Sequence, residues 1–552
     1  MRFPMTDKKN DITKQNNTEP NELPEKSFPV VGIGASAGGL AAFEAFFSGM
    51  PADIDPGMAF VLVQHLAPDH KSILTDLIQR YTRMKVFEVK DGMKVNPNCA
   101  YIIPPNCDMA FFNGSLQLLT PAAPRGQRMP IDFFFRSLAK DQREKAICII
   151  FSGTGSDGTL GLREIKGEGG MVMAQNPAST EYDGMPINAI ATGLVDYILP
   201  PAEMPAQLMS YVTHAFGKII LPVNVKKSNA ENALKKIFVL MRTQTSHDFS
   251  QYKPSTMNRR IERRMAIHQI KTIDKYVEFL QINKAEIALL FQDFLIGVTS
   301  FFRDPEAFKV VEEQIIPKLF IDKSSNKPVR VWCVGCSTGE EAYSIAILIQ
   351  EYLDTHRNDY LKVHIFATDI DSHAIAIARA GIYPISIAND ISAERLERFF
   401  TTTSDGNAYR IQKSIRDMLI FSEQNLIKDP PFAKLDFISC RNLMIYIKGS
   451  LQKKIIPLFN YALKAKGFLF LGTSETVGDF LDLFITIDRK AKVYQNKDNF
   501  QGMQSVTQCG FLPPMIMNER YSRSNEKTKS PVKLNPRDLT EKALLQHSIK
   551  YI

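Results

Sequence analysis

Two apolar strands that run directly into glycine-rich turns are the features that most constrain the fold of this chain. The first reads VVGIGASAGG, from Val30 to Gly39, and the second reads VRVWCVGCSTGEE, from Val329 to Glu341. Each is followed by a helical pattern, so each predicts the strand–turn–helix unit of a parallel sheet. The two units lie about 300 residues apart, which predicts two separate sheets with a different chemistry at each turn.

The sequence predicts an α/β fold class, with two doubly wound parallel-sheet domains joined by a small all-α domain. Strand-like runs at 58–63, 146–151, 329–334 and 362–367 alternate with helical patterns, whereas the stretch 231–305 carries little strand signal. The predicted divisions are a disordered lead (1–26), a first α/β domain (27–218), the all-α domain (231–305), a second α/β domain (306–497), and a linker or disordered tail that ends in the start of a truncated helix (498–552).

Composition and patterning exclude several classes of protein. No apolar run approaches the ~18 residues that a membrane span requires, and the polar N-terminus lacks the apolar stretch of a secretory signal. The seven cysteines show no framework spacing, which favours a reducing, cytoplasmic location. The formal net charge of +8 permits an acidic partner without requiring one.

The first turn, GASAG, matches the pattern of a nucleophile elbow, in which Ser36 would project from a strand-to-helix turn. His65 directly follows a second predicted strand, and Asp157 lies in the turn after a third. Because parallel strands bring their carboxyl ends to one edge of a sheet, these side chains are expected to meet there as a hydrolytic triad. The alternatives are a dinucleotide-binding turn, a purely structural turn, and His70 in place of His65.

Around this turn the sequence resembles the catalytic domain of the chemotaxis receptor methylesterase, CheB. The segments that carry the resemblance are GIGASAGG, VQHLAP, YIIPP, PIDFFFRSLA and SGTGSDG. The resemblance implies Ser36 as the nucleophile, His65 as the general base and Asp157 as the residue that orients it. It also implies an oxyanion hole built from the backbone of Ala37 and Thr154, where family members commonly have Thr and Met. The receiver domain that usually precedes this one is not expected, since only 26 residues come before the first predicted strand.

The second turn contains WCVGC, a spacing also found in thioredoxin-type redox sites. However, Glu340 and Glu341 follow the turn, and Asp369 and Asp371 lie at the end of the next predicted strand. A glycine turn beside such a carboxylate suits a ligand with an amino acid head and a ribose, and S-adenosyl-L-methionine has both. We therefore favour a donor-binding turn over a redox site and over a turn without a ligand.

The surroundings of the second turn resemble the chemotaxis receptor methyltransferase, CheR, over roughly residues 235–496. The matching segments are TSFFRD, VGCSTGEEAYSIA, ATDID, GIY, FSEQNL and CRNLMIY. The resemblance implies a pocket for S-adenosyl-L-methionine that is lined by Thr299, Arg303, Glu340, Asp369, Asn425, Leu426 and Asn442. It also implies that Tyr446 and Arg303 flank the reacting groups. Gly297 stands where family members often have Asn, so one contact in the pocket is expected to be lost.

A further predicted helix carries Arg259, Arg260, Arg263 and Arg264, whose i,i+4 spacing gives the helix a broad basic face. A solvated charged surface or a nucleic-acid contact would explain such a face, although few aromatic residues for base stacking accompany it. The segment also resembles the helical domain of the methyltransferase, which meets an acidic receptor. On that basis Arg259, Arg260 and Arg263 are expected to face the receptor substrate.

These expectations describe a bifunctional enzyme that forms and hydrolyses methyl esters on glutamate side chains of a receptor. The first α/β domain would act as a protein-glutamate methylesterase or glutamine deamidase. The second would act as a protein-glutamate O-methyltransferase with S-adenosyl-L-methionine as co-substrate, and no metal is expected. The expected partners are methyl-accepting chemotaxis-type receptor helices, with sensory or kinase proteins as further candidates, and neither nucleic acid nor direct membrane insertion is expected. The alternatives are a non-catalytic ligand-binding scaffold and a nucleic-acid methyltransferase fused to an unrelated hydrolase.

Overall fold

A computed structural model describes most of the chain. The described residues are 28–51, 55–65, 74–121, 128–216, 227–295, 297–321, 327–356, 361–404 and 406–497. The predicted lead (1–26), the predicted tail (498–552) and His70 lie outside these ranges. Among the described helices, none combines the length and the apolar character that crossing a bilayer requires.

The first part of the described chain is an α/β unit in which strands and helices alternate. Its strands are β1 (Val30–Ala35), β2 (Ala59–Gln64), β3 (Lys85–Glu88), β4 (Met93–Lys94), β5 (Cys99–Ile102), β6 (Asp108–Phe112), β7 (Ser115–Leu119), β8 (Ala146–Ile150), β9 (Met171–Gln175) and β10 (Tyr197–Leu199). Its helices are α1 (Gly39–Ser48), α2 (Leu74–Tyr81), α3 (Pro130–Gln142), α4 (Thr159–Gly167), α5 (Gly184–Ala191) and α6 (Met204–Phe216). Within the described residues, seven parallel strands form a sheet in the order β10-β9-β8-β1-β2-β5-β3, and β4, β7 and β6 form a small antiparallel sheet.

The central strands of the parallel sheet are apolar because both of their faces are covered. Every residue of β1 and of β8 is buried, which is the pattern of a parallel strand between two layers of helices. One apolar cluster joins the sheet to α3 through Phe134 and Phe135, and another joins it to α1 through Phe43 and Phe46. The doubly wound arrangement predicted from the sequence is confirmed, and β2 and β8 lie within one residue of the predicted runs 58–63 and 146–151.

The middle of the chain is helical, as predicted. Its helices are α7 (Lys227–Thr245), α8 (Pro254–Ile267), α9 (Ile273–Ile282), α10 (Lys284–Phe294), α11 (Pro305–Val310) and α12 (Ile316–Leu319). Helices α7 to α10 enclose an apolar cluster that contains Ile237, Met241, Tyr276 and Leu290. This helical domain also packs directly on the first α/β domain, because Ile267 of α8 belongs to the same apolar cluster as the residues of α1 and α6.

The last part of the described chain is a second α/β domain. Its strands are β11 (Val329–Val334), β12 (Val363–Asp369), β13 (Ile382–Pro384), β14 (Phe400–Thr402), β15 (Ala408–Ile411), β16 (Leu419–Glu423), β17 (Leu435–Cys440), β18 (Leu463–Leu471), β19 (Phe484–Asp488) and β20 (Val493–Asn496). Its helices are α13 (Glu340–His356), α14 (Ser372–Ala380), α15 (Ala393–Phe399), α16 (Lys413–Arg416) and α17 (Gly449–Ala462).

The second large sheet is mixed. Counting only the described residues, its strands follow the order β16-β12-β11-β17-β18-β20-β19. The first five pair in parallel, and β18, β20 and β19 pair antiparallel at one edge, as α/β sheets often do. The strands β13, β15 and β14 form a separate small antiparallel sheet.

Candidate functional sites

The three side chains predicted to form a triad meet at the carboxyl edge of the first sheet. His65 lies between the other two: its Nδ1 is 3.5 Å from Ser36 Oγ, and its Nε2 is 2.7 Å from Asp157 Oδ2. They meet because β1 pairs with β2 on one side and with β8 on the other, so the segments that follow these strands are neighbours. With the ring proton on Nε2, Nδ1 is free to accept the serine proton. The two ring nitrogens are thus used in the opposite order to that of the serine-protease triad.

Backbone donors fix the orientation of the Asp157 side chain. Its side chain is almost fully buried, and Oδ1 accepts hydrogen bonds from the N–H groups of Asp132 (2.8 Å) and Gly158 (2.8 Å). Oδ2 accepts from the N–H of Ile131 (3.1 Å) as well as from His65. Because these contacts hold the side chain in one orientation, Asp157 is suited to orient the imidazole of His65.

A second carboxyl group, that of Asp132, is buried directly behind Asp157. Its Oδ1 accepts a hydrogen bond from the N–H of Gly161 at 2.5 Å, and its Oδ2 is buried without a hydrogen-bond partner. Burial, together with the charge of Asp157, raises the pKa of Asp132 to about 8. Asp132 is therefore mostly protonated at neutral pH, which avoids placing two adjacent buried negative charges in the domain.

The backbone around Ser36 provides free N–H groups for an oxyanion. Ala37 and Thr154 are both exposed, and within the described residues neither of their N–H groups has an acceptor. The N–H of Ser36 itself donates to the carbonyl of Ser152 at 3.0 Å, which joins the two turns. A Cβ at Gly153 would lie 2.8 Å from Ser36 Cβ, so only glycine permits this close approach.

Ser152 and Gln175 support this turn, and the sequence analysis did not single them out. Ser152 Oγ lies 2.9 Å from the carbonyl oxygen of Ala37 and accepts the N–H of Tyr182 at 3.0 Å. Gln175 Oε1 accepts the N–H of Ser152 at 2.8 Å. The available signal for Ser152 was its position as the first residue of SGTGSDG, just after a buried strand. Gln175 is distant in sequence and had no such signal.

The predicted donor-site residues lie along the carboxyl edge of the second sheet. Asp369 is the last residue of β12, Asn425 follows β16 by two residues, and Asn442 follows β17 by two residues. Glu340 begins α13 after β11. Leu426 is partly buried and packs against the apolar cluster that contains Trp332 and Phe366. The structure therefore brings these residues to the same edge of the sheet, as the order of the strands requires.

Asp369 is fixed by the glycine-rich turn. Its Oδ2 accepts the N–H of Ser337 at 2.8 Å, and its Oδ1 accepts the N–H of Asp371 at 2.9 Å. Burial raises the pKa of Asp369, and these two N–H groups oppose that rise. Ser337 has a φ of 49°, a conformation that a non-glycine residue adopts rarely. Such local strain is typical of ligand-binding turns.

A cavity of about 260 Å³ lies between the helical domain and this edge of the sheet. It is lined by Ser246, His247, Glu423, Gln424, Asn425, Lys428 and Asp429. The ring of His247 stacks on Phe291, with centroids 5.3 Å apart and planes 15° apart, and its Nδ1 is 3.4 Å from Asn425 Nδ2. Gln424 Oε1 is buried without a partner. The cavity thus lies directly beside Asn425, one of the predicted donor-site residues.

The two glutamates after the glycine turn have different surroundings. Glu340 accepts a hydrogen bond from the hydroxyl of Thr338, and the guanidinium of Arg163 from the first α/β domain is 3.9 Å from its Oε1. Burial raises the pKa of Glu340, and Arg163 opposes that rise. Glu341 instead accepts from Ser439 Oγ at 2.6 Å, beside the end of β17. Glu341 thus faces the edge of the sheet, although only Glu340 was predicted to line the donor pocket.

Arg303 belongs to a strained segment that Arg441 holds in place. The buried guanidinium of Arg441 donates to the carbonyl of Arg303 at 2.9 Å and to Asp304 Oδ2 at 2.6 Å. Phe302 and Asp304 have φ values of 49° and 59°, which are unusual for residues other than glycine. Thr299 lies half-buried in the same segment. Arg441 is a positioning residue that the sequence analysis missed.

The loop that contains Asn442 and Tyr446 is organised by Glu475. This buried carboxylate accepts four backbone N–H groups, those of Asn442, Met444, Ile445 and Gly472, at 2.7 to 3.3 Å. Asn442 has a φ of 58°. The carbonyl of Tyr446 accepts the N–H of Lys253 at 2.8 Å, so this loop also contacts the residue that precedes α8 of the helical domain.

Gly297 is required by its contact with the glycine-rich turn. Its carbonyl accepts the hydroxyl of Ser337 at 3.2 Å, and a Cβ at this position would lie 2.4 Å from Ser337 Oγ. The asparagine that family members often have would therefore collide with the turn here. Glycine at position 297 therefore allows this segment to pack closely against the turn, in addition to removing the one pocket contact that an asparagine would make.

The redox alternative for WCVGC is not supported. Cys333 and Cys336 are both buried and free, and burial raises both thiol pKa values. A redox-active cysteine needs an accessible thiolate, and these residues provide neither property. Across the described residues, no group of three or more His, Cys, Asp or Glu side chains is arranged to hold a metal ion.

The predicted basic face of α8 is contradicted by the structure. Arg260, Arg263 and Arg264 are only 3%, 5% and 5% exposed. Arg263 forms ion pairs with Asp196 of the first α/β domain and Asp293 of α10. Only Arg259 of the four keeps a substantially exposed side chain (39%). Arg260 and Arg263 therefore do not present a surface to a receptor or a nucleic acid, because they are buried in contacts within the chain.

Arg264 is likewise used inside the helical domain. Its guanidinium pairs with Glu286, which also accepts hydrogen bonds from His268 and from the hydroxyl of Tyr276. Helical periodicity predicts that the arginine side chains of this face point into solvent. A buried arginine is nevertheless stable when its N–H donors are paired with carboxylates and carbonyls.

Comparisons with known proteins identify both α/β domains. Residues 31–208 match the CheB methylesterase family model, 232–295 match the all-alpha domain of CheR methyltransferase, and 297–493 match its SAM-binding domain. A chemotaxis protein methyltransferase of Borreliella burgdorferi is 30% identical over 267 residues, covering 47% of this chain and 92% of that protein. The chain belongs to the chemotaxis protein methyltransferase family and carries a CheB methylesterase domain ahead of the methyltransferase domains. S-adenosyl-L-methionine is the co-substrate of its methyltransferase part.

Two further proteins are similar to this chain. An uncharacterized 104.1 kDa protein of Rhodobacter capsulatus is 34% identical over 445 residues, which are 76% of this chain. The aligned part spans 46% of the length of that relative. The crystal structure of the CheB methylesterase catalytic domain of Thermotoga maritima is 29% identical, covers 33% of this chain and 98% of that domain, and has a TM-score of 0.31.

Proposed function

We propose that this chain both methylates and demethylates glutamate side chains of a chemoreceptor. The observation that carries the hydrolytic half is the placement of the His65 imidazole between Ser36 Oγ and Asp157. The observation that carries the transfer half is the convergence of Asp369, Asn425 and Asn442 at one sheet edge. The family assignment supports the pairing of these two reactions.

In the proposed hydrolysis, Ser36 Oγ attacks the carbonyl carbon of a glutamyl methyl ester while His65 Nδ1 takes its proton. The N–H groups of Ala37 and Thr154 stabilise the oxyanion, a role that is independent of their side chains. As the intermediate collapses, His65 gives this proton to the departing methoxide, which leaves as methanol, and an acyl group remains on Ser36. Water, deprotonated by His65, releases the glutamate and restores the serine. With a glutamine side chain the same steps release ammonia, which is deamidation.

In the proposed transfer, the chain mainly aligns the reactants. The bound donor supplies a sulfonium methyl group, and a glutamate carboxylate with an ordinary pKa near ~4.3 is already an anion at neutral pH. No general base is therefore required, and alignment alone provides large effective molarities of ~10⁵–10⁸ M. Asp369 would hold the ribose, Thr299, Glu340, Asn425, Leu426 and Asn442 would line the donor pocket, and Arg303 and Tyr446 would flank the reacting groups.

We propose receptor helices of the methyl-accepting chemotaxis type as the substrate, with a cytoplasmic location. The chemotaxis names of the relatives support the substrate class. The free cysteines of the described residues, most of them buried, are consistent with a reducing compartment.

Two single substitutions test the proposal independently. Ser36→Ala should abolish release of methanol from a methylated receptor fragment and leave methyl incorporation intact. Asp369→Ala should abolish incorporation from labelled S-adenosyl-L-methionine and leave methanol release intact. Loss of both activities in either variant, with the fold preserved, would contradict two separate active sites.

A further inference from the structure

Three neighbouring strand ends of the second sheet carry the donor-site residues in a definite order. The glycine-rich turn follows β11, Asp369 ends β12, and Gln424 and Asn425 follow β16. Asp369 Oδ2 accepts the N–H of Ser337 in the turn at 2.8 Å, and the carbonyl of Asp369 accepts the N–H of Gln424 at 2.8 Å. In S-adenosyl-L-methionine the ribose joins the amino acid head to the base. A ribose at Asp369 with its head at the glycine-rich turn therefore directs the base towards the end of β16.

The cavity of about 260 Å³ lies at this third strand end. Glu423, Gln424 and Asn425 line it from the sheet, and Ser246 and His247 line it from the helical domain. Its volume is below the ~300–1,000 Å³ of pockets that hold whole drug-sized ligands, so it accommodates one end of the donor. Among the described residues, Gln424 Oε1 is buried without a hydrogen-bond partner. This acceptor is available to an amino group of a ligand.

The core of the helical domain holds His247 beside the cavity. The ring of His247 stacks on Phe291, with centroids 5.3 Å apart and planes 15° apart. Phe291 in turn packs edge-on against the buried Phe249, at 5.8 Å. Towards the sheet, Nδ1 of His247 is 3.4 Å from Asn425 Nδ2. A row of three aromatic rings thus runs from the helical core to the cavity and fixes the orientation of the imidazole.

A second contact ties the helical domain to the same loop. Lys428 donates from Nζ to the carbonyl of Ser246, the residue before His247. Ser246 has a φ of 63°, and such backbone strain is concentrated at functional segments. Burial and the charge of Lys428 lower the pKa of His247, whereas Glu423 and Asp429 oppose this shift. The imidazole is therefore neutral at pH 7, as suits a ring that faces an uncharged base.

We propose that His247 is a donor-binding residue, whose imidazole forms a wall of the pocket for the adenine base of S-adenosyl-L-methionine. The proposal rests on the methyltransferase function proposed above and adds the helical domain to the donor site. The donor residues implied by the family resemblance all lie outside 232–295, the part that matches the all-alpha domain. Donor binding then depends on how the helical domain packs against the sheet.

Calorimetry on the full chain tests this proposal with S-adenosyl-L-homocysteine, which has the same base and carries no transferable methyl group. His247→Ala should raise the Kd at least about fivefold, because it removes an aromatic partner from the base. His247→Phe keeps an aromatic plane and should stay within about threefold of the wild type. His356→Ala is the matched control, since His356 is exposed at the last residue of α13, about 24 Å from the start of that helix. It should leave the Kd unaltered.

A smaller ligand shows which end of the donor His247 contacts. 5′-Methylthioadenosine has the base and the ribose but lacks the amino acid head, and its Kd is measured by displacement of labelled S-adenosyl-L-homocysteine. His247→Ala should weaken the binding of both ligands by the same factor. A loss confined to S-adenosyl-L-homocysteine would place His247 at the head of the donor and would overturn the proposal.

The remaining outcomes separate this inference from the function on which it rests. An unchanged Kd in His247→Ala, or equal losses in His247→Ala and His247→Phe, would overturn the role of the aromatic plane while leaving the methyltransferase function in place. Absence of both donor binding and methyl incorporation in the wild type would overturn both. At saturating donor the kcat for methyl incorporation should be unchanged in His247→Ala, which also shows that the variant is folded.

Discussion

The substitution Asp157→Asn tests the proposed hydrolytic site, because Asp157 Oδ2 contacts His65 Nε2 and thereby determines which ring nitrogen carries the proton. Oδ1 of Asp157 accepts two backbone N–H groups, and Oδ2 accepts the N–H of Ile131 and Nε2 of His65. All four groups are donors, but the amide of asparagine can accept through one atom only. The amide nitrogen then faces His65, which can keep the contact only by accepting at Nε2. The ring proton moves to Nδ1, the nitrogen beside Ser36.

A histidine with its proton on Nδ1 cannot accept the proton of Ser36, so the nucleophile loses its base. In the serine-protease triad the equivalent substitution lowers kcat about 10⁴-fold, which is about 5.4 kcal/mol of barrier. The short contact of 2.7 Å and the almost complete burial of Asp157 leave little room for water to replace the carboxylate. We expect a loss of about 10³- to 10⁴-fold in methanol release.

The assay is methanol release from a methylated receptor fragment, with Ser36→Ala as the background. Methyl incorporation by the same preparation is the control. The hydrogen bonds that the described residues make with Asp157 all lie within the first α/β domain, so incorporation should stay within about twofold of the wild type. A folded Asp157→Asn protein that loses less than about tenfold in methanol release would refute the role assigned to this carboxylate.

Three further substitutions test particular contacts. Gly297→Asn should weaken binding of S-adenosyl-L-methionine by about tenfold in calorimetry, because the new Cβ would meet Ser337 Oγ at 2.4 Å; equal or tighter binding would contradict this. Arg263→Ala should lower the free energy of unfolding by about 3–5 kcal/mol in denaturant titrations, because it removes an ion-pair partner from the buried carboxylates of Asp196 and Asp293. A loss under about 1 kcal/mol would argue against a stabilising role for these buried ion pairs. Asp132 has a pKa of about 8 in the folded protein, above its ordinary 3.8, so between these pH values the folded state binds one more proton than the unfolded state. The free energy of unfolding therefore falls as the pH rises towards 8, by up to ~1.4 kcal/mol per pH unit. Asp132→Asn should flatten that slope in thermal unfolding between pH 5 and 8, whereas an unchanged slope would exclude the raised pKa.

The convergence of Ser36, His65 and Asp157 could be predicted from the sequence because each follows an apolar strand. Burial on both faces gives parallel strands a continuous apolar run, so the ends of the strands are easy to locate. The carboxyl ends of parallel strands then share an edge. The same reasoning predicted Asp369 at a strand end of the second sheet, whereas Asn442 was implied only by the resemblance to the methyltransferase. In both domains, the apolar runs locate the ends of the strands and the parallel pairing of the strands brings those ends together.

The burial of the α8 arginines could not be predicted in this way. The partners of Arg263 are Asp196 and Asp293, which lie far away in sequence and carry no local sign of a pairing. Helical periodicity reports only which residues share a face. Whether that face meets water or another domain depends on domain packing, and for Arg260 and Arg263 the packing reversed the expected exposure.

The groups that hold loops by accepting backbone N–H bonds were also missed. Glu475 binds four N–H groups around Asn442, and Ser152 joins the two turns of the esterase site. Their importance comes from the geometry of the loops they satisfy, since a buried N–H without an acceptor is costly. A single sequence shows the residue type but does not show which backbone groups it will meet.

The most direct test of the central claim follows one label through both reactions. The full chain is mixed with a purified receptor fragment and methyl-labelled S-adenosyl-L-methionine, and base-labile label on the fragment and free labelled methanol are followed over time, for the wild type and for Ser36→Ala. The account predicts that the wild type places label on the fragment and then releases it as methanol, whereas Ser36→Ala retains it. Identical time courses for the two proteins, or label that is stable to base, would contradict a chain that writes and erases the same methyl ester.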